Sequence, residues 1–252
     1  KIKEQIVSLC ASTHNSRVVD MEGFFAGAYE FPCGSESLIV VSTDSVGTKV
    51  RLGIACNSLK GLGHDLVAHC VNDILTTGAE PLLFLDYIGI GEVNNEVING
   101  VLSGLTEACK DANCALIGGE TAILSGVYRN GDFDLVGFVV GSVTRDRLIG
   151  PDKVSEGNVL IGVPSDGLHT NGYSLARKVM GTDDDPSILS RQLSGFGETL
   201  GEVLLKPHKS YLGVLRPVLR KIQAMSHITG GGITENLPRV LPVGLVANID
   251  MS

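Results

Sequence analysis

Short runs rich in β-branched residues alternate with helix-length patterns along this chain. A chain with that order of elements has to lay helices on a sheet, so the feature restricts it to α/β architectures. Leu38–Thr43, Leu82–Ile88, Ala115–Ile117 and Leu135–Val143 read as strands. His64–Thr77 and Glu96–Asp111 read as helices, the first closed by Gly78 as a C-cap. A polar stretch at Thr144–Gly157, holding Gly150 and Pro151, interrupts the pattern. Beyond it Asn158–Val163 reads as a strand, Gly172–Met180 as a helix and Glu198 to Ala224 as a long helical region. Ile233–Val240 then reads as a short helix and Leu245–Ile249 as a last strand. We therefore expect two domains, 1–149 and 150–252, the second with only two or three strands.

Charge and hydropathy exclude several roles. The net charge is −8 and no basic run exists, which argues against nucleic-acid partners that need a cationic surface. No stretch approaches the roughly 20 uninterrupted apolar residues of a membrane helix, and from the opening KIKEQIVSLCASTH no signal peptide is expected. The expected setting is cytoplasmic. The six cysteines form no C-x-x-C pair and several lie in apolar stretches, so buried, reduced thiols are expected.

Chemistry-bearing residues gather where strands end. VVSTDSVGTKV at 40–50 places Asp44 at a strand end, then Gly47, Thr48 and Lys49. A carboxylate followed by free amides and a lysine suits Mg²⁺ and phosphate. A tight turn with solvated Asp and Lys accounts for the same residues, and G-x-x-x-x-G-K-[ST] occurs nowhere in the chain. In GLGHDLVAHCVNDILTTGAEP at 61–81, helical spacing puts Leu66, Val67, Cys70, Val71, Ile74 and Leu75 on one side. Asp65, His69, Asn72, Asp73 and Thr76 share the other. A solvated face normally carries lysine or glutamate; this one has only short side chains suited to fixed ligand geometry. CALIGGET at 114–121 repeats the arrangement with Gly118, Gly119, Glu120 and Thr121, a stretch that also reads as a plain turn. In SDGLHTNGYS at 165–174, His169, Thr170 and Asn171 precede Gly172 at a helix start, where an anion can bind. HITGGGITENLPRVLP at 227–242 opens a short helix with Thr229, Gly230, Gly231 and Gly232, and holds Asn236. Both segments read equally well as glycine-rich connections with ordinary capping.

Taken in order, FAGAYEF, TDSVGTK, GHDLVAHCVNDIL, GAEPLLFLDY, ALIGGETA, GLHTNGYSL and HITGGGITENLPRVLP resemble the aminoimidazole ribonucleotide synthetase (phosphoribosylformylglycinamidine cyclo-ligase) family, from Val19 to Val243. The resemblance implies a two-domain synthetase fold: an N-terminal half-barrel sheet domain that pairs in a homodimer, and a second α/β domain. It implies ATP and Mg²⁺, and a ribonucleotide substrate whose formamide oxygen is phosphorylated before ring closure. Carried over by position, Asp44, Asp73 and Glu120 would hold metal. Gly47, Thr48, Lys49, Asn72, Gly118, Gly119 and Thr121 would join them around ATP and its phosphates. Asp65 and His169 would be catalytic. His169, Asn171, Gly172, Thr229, Gly230, Gly231, Gly232 and Asn236 would face the ribonucleotide.

Three departures stand out: Ser45 where the family usually has Gly, Ile123-Leu124-Ser125 in place of Glu-Met-Pro, and missing opening and late family segments. We therefore expect the second domain to be truncated. Another ATP-dependent member of the superfamily, or a nucleotide-binding module without turnover, would also carry many of these residues.

Overall fold

The computed structural model describes residues 11–12, 14–21, 26–31 and 36–250. Its centre is a six-stranded sheet in the order β1-β2-β3-β6-β4-β5. The strands are β1 (Val18–Val19), β2 (Gly27–Glu30), β3 (Ser37–Ser45), β4 (Glu80–Ile90), β5 (Ala115–Ile123) and β6 (Phe133–Thr144). All neighbours are antiparallel except β4 and β5, which are parallel. A parallel pair needs a crossover, and the helix α3 (Asn95–Asp111) supplies it. Helix α1 (Lys49–Ala55) and helix α2 (Leu59–Leu75) fill the connection from β3 to β4.

Period-two burial in β6 shows which face is inside. Phe133, Leu135, Gly137, Val139, Gly141 and Val143 are buried and point at the helices; Phe138 on the other face is 39% exposed. The core lies between that inner face and α2 and α3, with Leu38, Val40, Phe84 and Ile88 meeting Leu62, Leu66, Ile74, Val101 and Leu105. α3 is one-sided, burying Val97, Val101, Leu105 and Cys109, and is capped by Asn94, whose side chain accepts from the Glu96 and Val97 amides. α2 is different: its polar side is buried as well. The four expected strands and two helices of this half are present, longer at several ends; α2 stops at Leu75, and Gly78 (φ +82) closes the following turn.

The second half departs from expectation. Neither Asn158–Val163 nor Leu245–Ile249 is a strand; Val159 is 83% and Ile161 84% exposed. Alternating apolar residues make a strand only where a neighbour takes the backbone hydrogen bonds, and no neighbour stands there among the described residues. The expected long helix from Glu198 is broken into α5 (Leu200–Leu204), α6 (Leu212–Leu215) and a 3₁₀ turn at Arg216–Lys221. Pro207 and Pro217, lacking N–H groups, interrupt the apolar pattern. α4 (Tyr173–Met180) and α7 (Gly232–Asn236) form close to where they were expected. Leu52 of α1 packs with Tyr173, Leu189, Leu200, Leu204 and Leu205 in a second, smaller core. Cys70, Cys109 and Cys114 are buried free thiols and Cys56 is an exposed one; Cys10 and Cys33 lie outside the described residues.

α2 and α3 cross at two glycines. A Cβ on Gly104 would lie 2.0 Å from the Lys60 carbonyl oxygen, and one on Gly63 would lie 2.3 Å from that of Val101. Backbone cannot yield as a side-chain tip can. Gly104→Ala should therefore lower unfolding free energy by about 1–3 kcal/mol, the usual range for overpacking, as read from urea titration; a loss under about 0.5 kcal/mol, ordinary for a surface change, would contradict the close crossing.

Candidate functional site

A cleft of about 230 Å³ opens between the sheet half and the second half, lined by Asp44, His69, Asp73, Asn171, Thr229 and Arg239. β3 delivers Asp44 near its end. α2 delivers His69 and Asp73, four residues apart and so on one face. The turn before α4 brings Asn171, and the glycine-rich turn before α7 brings Thr229.

Each cleft carboxylate is held by a histidine and a second donor. Asp44 Oδ2 meets His69 Nε2 at 2.9 Å, while its Oδ1 accepts from the Ser45 amide at 2.7 Å. Asp73 Oδ1 meets His227 Nδ1 at 2.8 Å, and its Oδ2 accepts from Ser42 Oγ at 2.9 Å. Burial pushes the Asp44 carboxyl up, but the hydrogen bond from His69, joined by that from the Ser45 amide, outweighs it, and the net shift is downward. Burial likewise opposes charge on His69, and Asp44 reverses that, leaving the ring above its ordinary value.

Four of the six histidines gather here. His208 stacks on His169 with centroids 4.2 Å apart, and lies 5.1 Å from His69 and 5.7 Å from His227. Burial first, then neighbouring positive charge, lowers His169 to about 4 and drives His208 far below its usual range.

The polar side of α2 divides its work. His69 and Asp73 reach the cleft, but Asp65 and Asn72 grip the backbone of the second half. Asn72 donates to the Lys209 carbonyl at 2.8 Å and accepts from the Tyr211 amide at 3.0 Å. Asp65 Oδ1 accepts from Lys49 Nζ at 2.8 Å and from the His208 amide at 2.6 Å, and Lys49 also donates to the Lys206 carbonyl at 2.8 Å. Both side chains of the pair are 0% exposed. Burial lowers Lys49 and raises Asp65, each offset by the other's charge. Lys49 thus does not line the cleft, contrary to a phosphate-facing lysine, because α1 begins at that residue and turns it inward. Gly47 (φ +65) allows the turn before it, and the Thr48 hydroxyl meets Ser174 Oγ at 3.0 Å.

The second GG stretch also lies elsewhere. Gly118, Gly119, Glu120 and Thr121 are exposed on the edge strand β5. Glu120 pairs with Tyr87, whereas Asp86, next in β4, is buried toward the helices opposite Gly119. Glu120 therefore projects from the outer face, and within this chain Asp44, Asp73 and Glu120 do not form one metal site. Among the described residues no group of three or more His, Cys, Asp or Glu could hold a metal ion.

In the second half, Asn236 is buried and donates to the carbonyls of Gly230 (3.1 Å) and Gly232 (2.8 Å), fixing the loop rather than facing the cleft. Gly231 (φ +91) and Gly232 (φ +64) supply the left-handed turn that lets it do so. Gly172 (φ +83) likewise starts α4, and His169 Nε2 accepts from the Asp166 amide at 3.3 Å. In the sequence, His69 stood on the polar side of α2 and Thr170 at a helix start, neither with a role of its own, and His208, His227 and Arg239 had none. His69 had a signal, sitting one helical turn before Asp73; His208, after Pro207, had none.

The fold and this cleft define an α/β protein that presents two anchored carboxylates to a glycine-rich second half. The chain belongs to the AIR synthase related family: the family's N-terminal domain matches residues 25–143 and its C-terminal domain residues 155–252. It is 44% identical over 248 residues to phosphoribosylformylglycinamidine cyclo-ligase of Caldicellulosiruptor bescii, covering 97% of this chain and 73% of that one. It is 45% identical to the enzyme of that name from Alkaliphilus metalliredigens, covering 95% and 70%. Against trifunctional purine biosynthetic protein adenosine-3 of Gallus gallus, identity is 45% over 95% of this chain and 24% of that one. Among solved structures, AaThiL complexed with AMPPCP and TMP shares the fold at TM-score 0.61 and 18% identity, covering 88% of this chain and 64% of that one. Thiamine monophosphate kinase from Aquifex aeolicus does so at TM-score 0.56 and 17% identity, covering 86% and 65%.

The buried Lys49–Asp65 pair ties α1 and α2 to the 206–208 backbone. Lys49→Met should lower stability by about 3–5 kcal/mol, since it strands a buried carboxylate, and Lys49→Met with Asp65→Leu should recover most of that in urea titration. A single variant as stable as wild type would contradict this reading.

Proposed function

We propose that this chain catalyses ATP-dependent closure of the imidazole ring, converting formylglycinamidine ribonucleotide to aminoimidazole ribonucleotide in purine biosynthesis. The observation that carries the reading is that Asp44 and Asp73 open onto one cleft with Arg239, Asn171 and Thr229. The kinship with cyclo-ligases over nearly the whole chain supplies the substrate.

The donor set suits Mg²⁺, which takes one or two carboxylates plus waters and substrate phosphates. Asp44 and Asp73 each keep lone pairs beyond the bonds described, and would hold the ion, whose charge would offset that of the ATP phosphates. Arg239 adds a fixed cation on the same wall. Such a site acts by positioning and charge neutralisation. The γ-phosphoryl group moves to the formamide oxygen of the substrate. The amidine nitrogen then attacks the activated carbon, phosphate leaves with that oxygen, and the nitrogen gives up a proton as the ring closes. Asn171 and Thr229 would orient the ribonucleotide, and the loop pinned by Asn236 would meet its phosphate with backbone amides. No protein nucleophile is required.

Glu120 joins this reading only across a subunit boundary, whereas Thr121, opposite Ile88, lies on the other face of β5. The outer face of the sheet carries Phe138, 39% exposed. A second copy of the chain is the occupant we propose for it. Cytoplasmic residence is part of the same proposal; no helix among the described residues is long and apolar enough to cross a membrane.

Asp73→Asn keeps the shape but removes the charge, and should cut ring-closure turnover by at least about 10²-fold, as loss of a charge-bearing ligand does. Unchanged circular dichroism would confirm the fold, and activity within threefold of wild type would sink the assignment. For the dimer, light scattering at micromolar concentration should give twice the chain mass, and Phe138→Asp should halve it; a monomeric wild type would refute the pairing.

A further inference from the structure

One string of contacts in the histidine cluster goes unused by the reaction as written. Asp44 Oδ2 meets His69 Nε2 at 2.9 Å, His69 Nδ1 meets Thr170 Oγ1 at 3.0 Å, and Thr170 Oγ1 meets His208 Nδ1 at 3.3 Å. His208 Nε2 is buried with no hydrogen-bond partner. His69, Thr170 and His208 are all buried, at 3%, 7% and 4% exposure.

A hydroxyl has one proton, so Thr170 donates to one ring and accepts from the other. If it donates to His208, His69 must carry protons on both nitrogens and the string ends in a buried N–H with no acceptor. If it donates to His69, the protons run from His208 toward Asp44. His208 Nδ1–H then donates to Thr170, Thr170 O–H to His69 Nδ1, and His69 Nε2–H to the Asp44 carboxylate. This string ends in a bare lone pair on His208 Nε2. An orphaned buried N–H is rarer and costlier than an under-used acceptor, so the second direction is favoured.

We propose that Thr170 is a positioning residue: with His208 held in the Nδ1–H form, it fixes the His69 proton on Nε2 and so aims the Asp44 carboxylate at the cleft. The consequence for turnover rests on the ring-closure reading above; the placement of the protons does not. Free neutral imidazole prefers the Nε2–H form, so the tautomer assigned to His208 is the minor one. A merely space-filling threonine would leave no such mark.

The test uses the full chain, labelled with ¹⁵N-histidine and free of ligand, observed by long-range ¹H–¹⁵N correlation. Wild type should show His208 protonated at Nδ1 and bare at Nε2. Thr170→Val should move His208 to the Nε2–H form, and Thr170→Ser should restore the wild-type pattern. In the ring-closure assay, Thr170→Val should lower kcat by about tenfold, as a loss of orientation does, with KM for ATP within about twofold; Thr170→Ser should stay within about threefold of wild type. Should Thr170→Val fail to fold, the wild-type and Thr170→Ser spectra still decide the tautomer. His208 protonated at Nε2 in wild type, or spectra and kcat unmoved in Thr170→Val, would overturn the proposal. Spectra as expected in a chain that closes no ring would uphold the proton placement and reject the functional reading instead.

Discussion

Lys49 Nζ and Asp65 Oδ1 meet at 2.8 Å where neither side chain touches water, and the geometry of the cleft depends on that contact. Two unpartnered charges could not be buried there; each would cost several kcal/mol in desolvation. Paired, they also collect the Lys206 carbonyl and the His208 amide, two backbone groups of the second half. The pair therefore converts a desolvation problem inside α1 and α2 into a fixed position for residues 206–208. Asn72 extends the same grip one segment further, to the backbone of Lys209 and Tyr211. With that strand of chain fixed, His208 can stack on His169 and sit beside Thr170.

α2 can do this because from Asp65 to Leu75 it has no solvent side. A helix on the outside of a sheet normally buries one stripe, as α3 does. α2 buries its apolar stripe against the sheet and its polar stripe against the second half. The polar stripe then serves two ends at once. Asp65 and Asn72 satisfy backbone across the boundary, whereas His69 and Asp73, offset around the same helix, face the cleft. Gly63 and Gly104 let α3 come close enough to support α2 from the side. A side chain at either crossing point would displace the helix that carries the cleft residues.

Much of this was legible in the sequence, and what was not has identifiable causes. The lysine-free polar stripe of α2 was visible from spacing alone, as were the strands of the first half. Spacing could not say which members of the stripe would be spent on backbone and which would face a ligand, because that depends on where Pro207–Tyr211 passes. Glu120 shows a different limit. β5 has one extra residue, Ile117, between the partners of Phe84 and Leu85. In an even register Glu120 would pair with Ile88 and face the helices beside the core; the bulge moves it opposite Tyr87 and onto the outer face. The same slip sets Gly119 opposite Asp86, where a Cβ would come 2.4 Å from Asp86 Oδ1. A single inserted residue thus decides the face of a carboxylate, and no local pattern announces it.

The crowding of histidines carries its own electrostatic logic. Rings 4.2 to 5.9 Å apart cannot all be charged without strong mutual repulsion. The structure separates them by partner. His69 faces a carboxylate, which lifts its proton affinity above that of a free ring. His169 and His208 have burial and positive neighbours instead, which keep them neutral at pH 7; His169 would take a proton only near pH 4. His69 in turn helps hold Asp44 ionised against the cost of its own burial. The cluster therefore supports negative charge on the cleft carboxylates without filling the wall with competing positive charge. A site that must accept both a divalent cation and polyphosphate needs that balance: anionic groups fixed in place, and neutral rings around them that leave room for the ligand's own charges.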